Sequence, residues 1–407
     1  MRFNTHCHVF NLQSIFNDAT AFILYNRMVL DNKVPPVIAT AIINKLKEIM
    51  AHGGGFDSVG SDPGDFSSTS DGLLGSVEEF WQAMHLAMLK NMDMVTDDMV
   101  RQLLDDVIFT PLMMDILVAP QLGPKTGDVF DDQLAGTKRQ IVRYPGRILP
   151  FYAVNPFRWD FVNRAIDALE HGGFVGVKLY PSLGYPIDAP GMDGVMHYCN
   201  ANQIPLLMHC NHGGFKQSDG TVDFCAPSKW GGAGSYLETY PNLKICFGHF
   251  GGEENFTGPE VPPQYPWTND ILALMGTYPG QVFADVSFHD VAYNAHPTNP
   301  SPASVAYFQS LNAIMADPRY QTQVLWGSDT WLLRMVCKEL DYWGAFMPPN
   351  TVSDECFKRM CQDNSRAFLG IDAANPKPNI LGYMNYMQAN AGWSHADALA
   401  WLTKAAS

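Results

Sequence analysis

Charge is scarce in this chain. Asp, Glu, Lys and Arg make up 16% of its 407 residues against 46% hydrophobic residues, so much of the sequence has to be buried. The charge present is lopsided: 41 acidic and 26 basic side chains leave a formal net charge of -15. Such a surface repels a polyanion, and nucleic acid is excluded as an expected partner. No run of 18 or more apolar residues occurs, so no membrane span is expected. The first residues lack a basic stretch leading into an apolar one, and no secretory signal is expected from them. The cysteines (Cys7, Cys199, Cys210, Cys225, Cys246, Cys337, Cys356 and Cys361) form no C-x-x-C pair and no regular framework, and several stand inside apolar runs such as LLMHC and KICFGH. They read as reduced, buried thiols of a cytoplasmic protein. Internal repeats and low-complexity tracts are also missing.

What the chain does have is a series of short apolar runs, each ending in a polar or ionisable residue. In order they are RFNTHCH, VIFTPLMMD, ILPFYAVN, FVGVKLY, IPLLMHC, KICFGH, VFADVS and VLWGSD. Bounded by Gly, Pro or Asn and rich in β-branched and aromatic residues, they fit buried parallel strands. Helix-like segments lie in most of the gaps. DFVNRAIDALEHGG carries an apolar stripe and ends on Gly172 as a C-cap; SDECFKRMCQDNSRAFLG opens on Ser353 as an N-cap. DAPGMDGVMHYCNANQ, SYLETYPN and SPASVAYFQSLNAIMADP precede the fifth, sixth and eighth runs. The alternation predicts an α/β fold, a (β/α)8 TIM barrel over residues 1–370. A helical insertion after the first strand, residues 12–106, contains the segments AFILYNRMVL, PPVIATAIINKLKEIMAH and SVEEFWQAMHLAMLKNMDMVTDDMVRQLLDD. Its Gly/Ser/Asp-rich stretch 52–72 predicts a mobile loop. The insertion leaves the barrel beside the mouth and is expected to cap it; its Met-rich stripes equally suit a second subunit in a homodimer. Residues 371–407 form a C-terminal helical tail, broken at Pro376 and Pro378 and ending in a short helix near HADALAWLTKAA.

Two histidines one residue apart, His6 and His8, open the chain. In a strand they share a face and Cys7 points the other way. A lone H-x-H is common. Its weight here comes from His209, His249 and Asp329, which close the fifth, sixth and eighth runs. In a barrel all strand C-termini meet at one mouth. Imidazoles and a carboxylate gathered there suit Zn²⁺ or a similar divalent ion with a position left open. Such an ion lowers the pKa of bound water from about 15.7 to about 7. Lys178, at the end of the fourth run, is either a pocket cation for an acidic substrate or a partner of a neighbouring carboxylate. Tyr180, Arg158 and Trp331 follow strand ends and either face the substrate or simply pack; Arg158 could grip a substrate carboxylate or pair with Asp160. His212 is a substrate contact or a plain loop residue. Asp285 reads as a strand-end anchor, and His289 and His296 as surface histidines.

The ordered set NTHCHVF, ILPFYAVNP, GVKLYP, LLMHC, PNLKICFGHFGG, VFADVS, VLWGSD and QDNSRAFLG resembles the amidohydrolase superfamily, in particular the amidohydrolase-related branch that includes aminocarboxymuconate-semialdehyde decarboxylase. The resemblance implies one divalent metal, zinc, held by His6, His8, His209 and Asp329. It implies His249 as the residue that activates water or contacts the substrate, and Asp329 as acceptor of the water proton. A binuclear site bridged by a carboxylated Lys178 is the alternative. The implied activity is metal-dependent hydrolysis of a small amide, lactone or ester through a metal-activated water. The second reading is non-oxidative decarboxylation of a small unsaturated or aromatic acid. A catalytically silent, ligand-binding barrel is the third.

Overall fold

The computed structural model describes residues 1–26, 28–29, 35–51, 91–125, 127–256, 266–293, 301–333, 337–347 and 351–407. All eight apolar runs become parallel strands: β1 (Arg2–Cys7), β2 (Val107–Pro111), β3 (Phe151–Val154), β4 (Gly176–Leu179), β5 (Pro205–His209), β6 (Lys244–Gly248), β7 (Val282–Asp285) and β8 (Val324–Leu325). Strands β3 to β8 pair in sequence order, and β1 pairs with β2. Two seams close the ring. Between β2 and β3, Phe109 bridges Ile148 and Leu112 bridges Phe151. Between β8 and β1, Thr5 N–H donates to Trp326 O at 3.1 Å and Ser328 N–H to His6 O at 3.0 Å. The result is a (β/α)8 barrel with the chain direction, and hence every strand C-terminus, at one end.

The strands are apolar because both of their faces are covered. Val177, Leu206, Ile245, Val282 and Val324 are fully buried in one continuous core with the surrounding helices. Those helices include Phe161–His171, capped at Gly172, and Pro302–Ala316, whose N-cap Ser301 accepts from Ser304 N–H. Helices Val129–Arg143 and Trp267–Thr277, before β3 and β7, add two the sequence reading had not placed. The SYLETYPN segment contributes a single turn, Tyr236–Thr239. The tail also departs from expectation. Pro378 opens the helix Pro378–Asn390 instead of breaking the chain, because a proline in the first turn gives up an N–H that has no intrahelical partner. The helix His395–Ala406 follows it.

Within the insertion, helices Asp18–Asn26 and Pro36–Ala51 gather a second apolar cluster. Ile23, Leu24, Ile42 and Leu46 pack there with Phe10, Met114, Tyr180 and Phe215, which come from the loops after β1, β2, β4 and β5. Helix Met92–Gln102 packs in the main core instead, through Met92, Met99 and Val100. The expected loop 52–72, the helix start before residue 91, and His52, His85 and His296 lie outside the described residues. No described helix is long and apolar enough to cross a membrane. No disulfide forms among the described residues.

Candidate metal centre

His6 in β1, His8 just beyond it, His209 at the end of β5, His249 after β6 and Asp329 after β8 line one cavity at the barrel mouth, together with Lys178 in β4 and Tyr180 just after it. Phe10, Met114, Gly214 and Phe215 complete its wall. The cavity as it stands is about 20 Å³, room for an ion or a water molecule, and it opens to solvent on one side. The approach of β8 to β1 depends on a glycine: a Cβ on Gly327 would lie 2.5 Å from His6 Cβ. Asp329 then turns into the mouth at φ 54°, with its N–H donating to His6 O at 2.7 Å.

Hydrogen bonds on the far side of each ring fix which nitrogen faces the cavity. His8 Nδ1 lies 2.8 Å from the carbonyl of Leu112, so it carries the proton and leaves Nε2 with its lone pair. His6 Nδ1 donates to Asp285 Oδ2 at 3.0 Å. His249 Nδ1 donates to the Ser287 carbonyl, also at 3.0 Å. Ser287 Oγ sits against both rings, 2.9 Å from His6 Nδ1 and 3.0 Å from His249 Nδ1, and passes its own proton to Asp285 Oδ1. His209 is turned the other way: Nε2 donates to Gly213 O at 3.2 Å, leaving Nδ1 bare.

The bare atoms then face one another. His8 Nε2 is 3.2 Å from Asp329 Oδ1, and His209 Nδ1 is 3.2 Å from His249 Nε2. Neither contact contains a donor in these tautomers, and Asp329 Oδ1 is buried without a hydrogen bond. Protons would relieve both contacts, but burial opposes them. It lowers His8 despite Asp329, pushes His209 well below the ordinary imidazole range, and sets His249 at about 4 with His6 beside it. Burial alone would raise the Asp329 carboxyl; the facing His8 ring and the surrounding histidines outweigh it and hold the group well below the usual carboxylate range. A buried carboxylate facing imidazole nitrogens suits a divalent cation.

Two sets of candidate liganding atoms lie within 4.8 Å of one another: His6, His8 and Asp329, and His6, His249 and Asp285. The bonding of the two carboxylates separates them. Asp285 is saturated, taking His6 Nδ1 and the Cys246 thiol on Oδ2 and His249 N–H, Ser287 N–H and Ser287 Oγ on Oδ1. Asp329 has the open oxygen. Of the two candidate sets, the cradle of His6, His8 and Asp329 is the one with a carboxylate oxygen left for a cation. His209 falls outside that close set and joins it through its contact with His249.

Lys178 is 2% exposed and has no hydrogen-bond or ion-pair partner among the described residues. Its ammonium lies 5.7 Å from the Tyr180 ring centroid, and burial lowers its pKa from 10.5 to about 8. The Tyr180 ring lies against His209, tilted by 41° with centroids 4.2 Å apart, and its hydroxyl accepts from Phe215 N–H at 2.8 Å. The wall is tight here, since a Cβ on Gly214 (φ +77°) would meet Tyr180 Oη at 2.3 Å.

Other expected site residues stay apart from the cavity. Arg158 does not reach the mouth, nor does it pair with Asp160. It forks onto Asp115, at 2.5 and 2.7 Å, and donates to Asp128 Oδ2 at 2.7 Å, which ties the ends of β2 and β3 to the N-cap of helix Val129–Arg143. His212 is half-exposed in the loop after β5, 3.1 Å from Glu254. The Trp331 side chain lies outside the described residues. His289 is a correction: it is buried, accepts from the Tyr307 hydroxyl at 2.7 Å, and donates to the His249 carbonyl at 2.9 Å. Sequence reasoning passed over Ser287, Phe10, Met114 and Phe215. Their common signal is position within a few residues of a strand end.

Residues 115–371 match the sequence model of a family described as amidohydrolase. No curated protein matches the chain. Among solved structures, 5-carboxyvanillate decarboxylase from Novosphingobium aromaticivorans, crystallised with bound manganese, is 14% identical with a TM-score of 0.48, covering 91% of this chain and 97% of that one. An uncharacterized TIM-barrel protein from Bordetella bronchiseptica is 15% identical with a TM-score of 0.47, covering 74% and 94%.

Proposed function

The chain belongs to the amidohydrolase family, whose enzymes are metal-dependent, and from that premise we propose that it hydrolyses a small carboxylate-bearing amide, lactone or ester with one divalent metal, zinc. His6, His8 and Asp329 would hold the ion, with His209 as the fourth ligand. Bound there, the ion supplies Lewis acidity, acidifying water and polarising a carbonyl. The chain does the rest. His249, with Nδ1 committed to Ser287, has Nε2 to take the proton that the attacking water loses and to return it to the leaving group. Phe10, Met114 and Phe215 exclude bulk water from that side of the cavity, and helices Asp18–Asn26 and Pro36–Ala51 brace them as a cap.

The observation that carries the substrate class is Lys178. An ammonium held almost out of water beside the cradle, with no carboxylate in ion-pair contact among the described residues although Asp285 and Asp329 act on it from a distance, is placed to take an anionic group of the ligand. The test is to incubate Zn²⁺-loaded protein with esters, lactones and amides offered in pairs, with and without a carboxylate. The expected result is turnover of the acids, with KM raised in Lys178→Met. Faster turnover of the uncharged member of each pair would contradict the reading. Carbon dioxide release without hydrolysis would assign the same residues to decarboxylation, which also needs an acid held at Lys178.

A further inference from the structure

Behind the cradle lies a buried polar cluster that no catalytic role uses. Glu339, fully buried in helix Glu339–Phe346, receives three side-chain donors on one oxygen: Asn4 Nδ2 at 2.7 Å, Ser328 Oγ at 2.5 Å and Thr330 Oγ1 at 2.5 Å. Asn4 also accepts on its Oδ1, from Ser328 N–H at 3.0 Å and His6 N–H at 3.4 Å. Ser328 Oγ adds contacts to Asn4 Nδ2 and Thr330 Oγ1, at 2.7 and 2.8 Å. The helix end is itself pinned, since Glu339 N–H donates to Gln102 of the insertion at 3.2 Å.

The sequence positions give the cluster its meaning. Ser328 and Thr330 flank Asp329, and Asn4 is two residues before His6 in the same strand. The cluster therefore grips the two stretches of backbone that present the cradle, at the seam where β8 is shortest and Asp329 takes a left-handed conformation. A non-glycine residue holds such a conformation only where its surroundings impose it.

We infer that Glu339 is a positioning residue, which clamps Asn4, Ser328 and Thr330 so that Asp329 and His6 meet at a metal-binding separation. It touches neither cation nor substrate. Its carboxylate orders three neutral donors around one oxygen, and their backbones carry the ligands. The inference rests on the metal reading of the cradle, and extends it to residues outside the cavity.

The experiment measures Zn²⁺ affinity by competition with a chromophoric chelator, for the full chain and for Glu339→Ala, Ser328→Ala and Thr330→Val. Tyr383→Phe serves as control, because it removes a buried bond to Gly146 N–H far from the cradle. Loss of a group that orients metal ligands typically weakens affinity by about 10- to 100-fold. That loss is expected in Glu339→Ala, with smaller losses in the other two cluster variants and none in Tyr383→Phe at a matched drop in melting temperature. Affinities within about twofold of the parent in the folded cluster variants would overturn the inference. If Glu339→Ala does not fold, Ser328→Ala and Thr330→Val decide by the same criterion. Hydrogen exchange of the amides of residues 326–333, read without metal, separates this inference from the metal reading: the clamp requires faster exchange in the cluster variants than in Tyr383→Phe even if the parent binds no Zn²⁺, and equal exchange refutes it.

Discussion

Replacing Lys178 by Met should stabilise the metal-free protein while impairing its use of acidic substrates. The side chain is 2% exposed, and burial lowers its pKa from 10.5 to about 8. The folded state therefore binds the proton less tightly than the unfolded chain does. At about 1.4 kcal/mol per factor of ten in proton affinity, that difference amounts to about 3 kcal/mol. The sign follows from proton counting. Below pH 8 both states carry the proton, and the folded state bears the full cost of a buried ammonium. Between pH 8 and 10.5 the unfolded chain holds more protons, so stability from this site rises with pH; above 10.5 the term vanishes. Methionine matches the stem without the charge and also adds apolar burial, which is independent of pH. Urea unfolding of chelator-treated protein isolates the charge contribution, as the stability gap between variant and parent near pH 7 minus the gap near pH 10.5. The expected difference is about 3 kcal/mol, with the gap closing across that window. A gap that stays constant with pH would show that Lys178 is already neutral or has an anionic partner, and the argument for an acidic substrate would fall with it.

His249→Ala should lower turnover by about 10²–10⁴-fold and leave metal content intact, as measured by elemental analysis of the same sample used for kinetics. Complete loss of the ion would make His249 a ligand. Asp329→Asn keeps the shape and removes the charge that faces His8, so Zn²⁺ affinity should fall steeply with the fold preserved by circular dichroism; unchanged affinity would move the cation seat away from His8 and Asp329.

Much of this was legible in the sequence for a physical reason. Strands covered on both faces become apolar runs, and where a run leaves the core its last residue changes character. His209, His249 and Asp329 were found by that change, and His6 and His8 by the two-residue period of a strand. The resemblance to amidohydrolases added the roles. What escaped depends on partners far apart in sequence. Ser287 looks like an ordinary strand-end serine until β1 and β6 place two imidazoles against its hydroxyl. Arg158 has Asp160 beside it in sequence, yet its fork fits Asp115, 43 positions away, and the nearer carboxylate loses. His289 follows the seventh run beside Asp290 and reads as a loop residue; Tyr307 and the His249 carbonyl, distant in sequence, supply both of its partners. Helix Trp267–Thr277 follows a stretch with no clear start signal, and Pro378 marks a helix start that reads equally well as a break.

The central claim is that His6, His8 and Asp329 converge because they hold a divalent cation, with His209 as the fourth ligand. Metal analysis of the purified chain, with Zn²⁺ titrated into chelator-stripped protein, tests it most directly. The account predicts one tightly held equivalent per chain, lost in His8→Ala and in Asp329→Asn. A stripped protein that takes up no ion, or one whose uptake survives both substitutions, would contradict it.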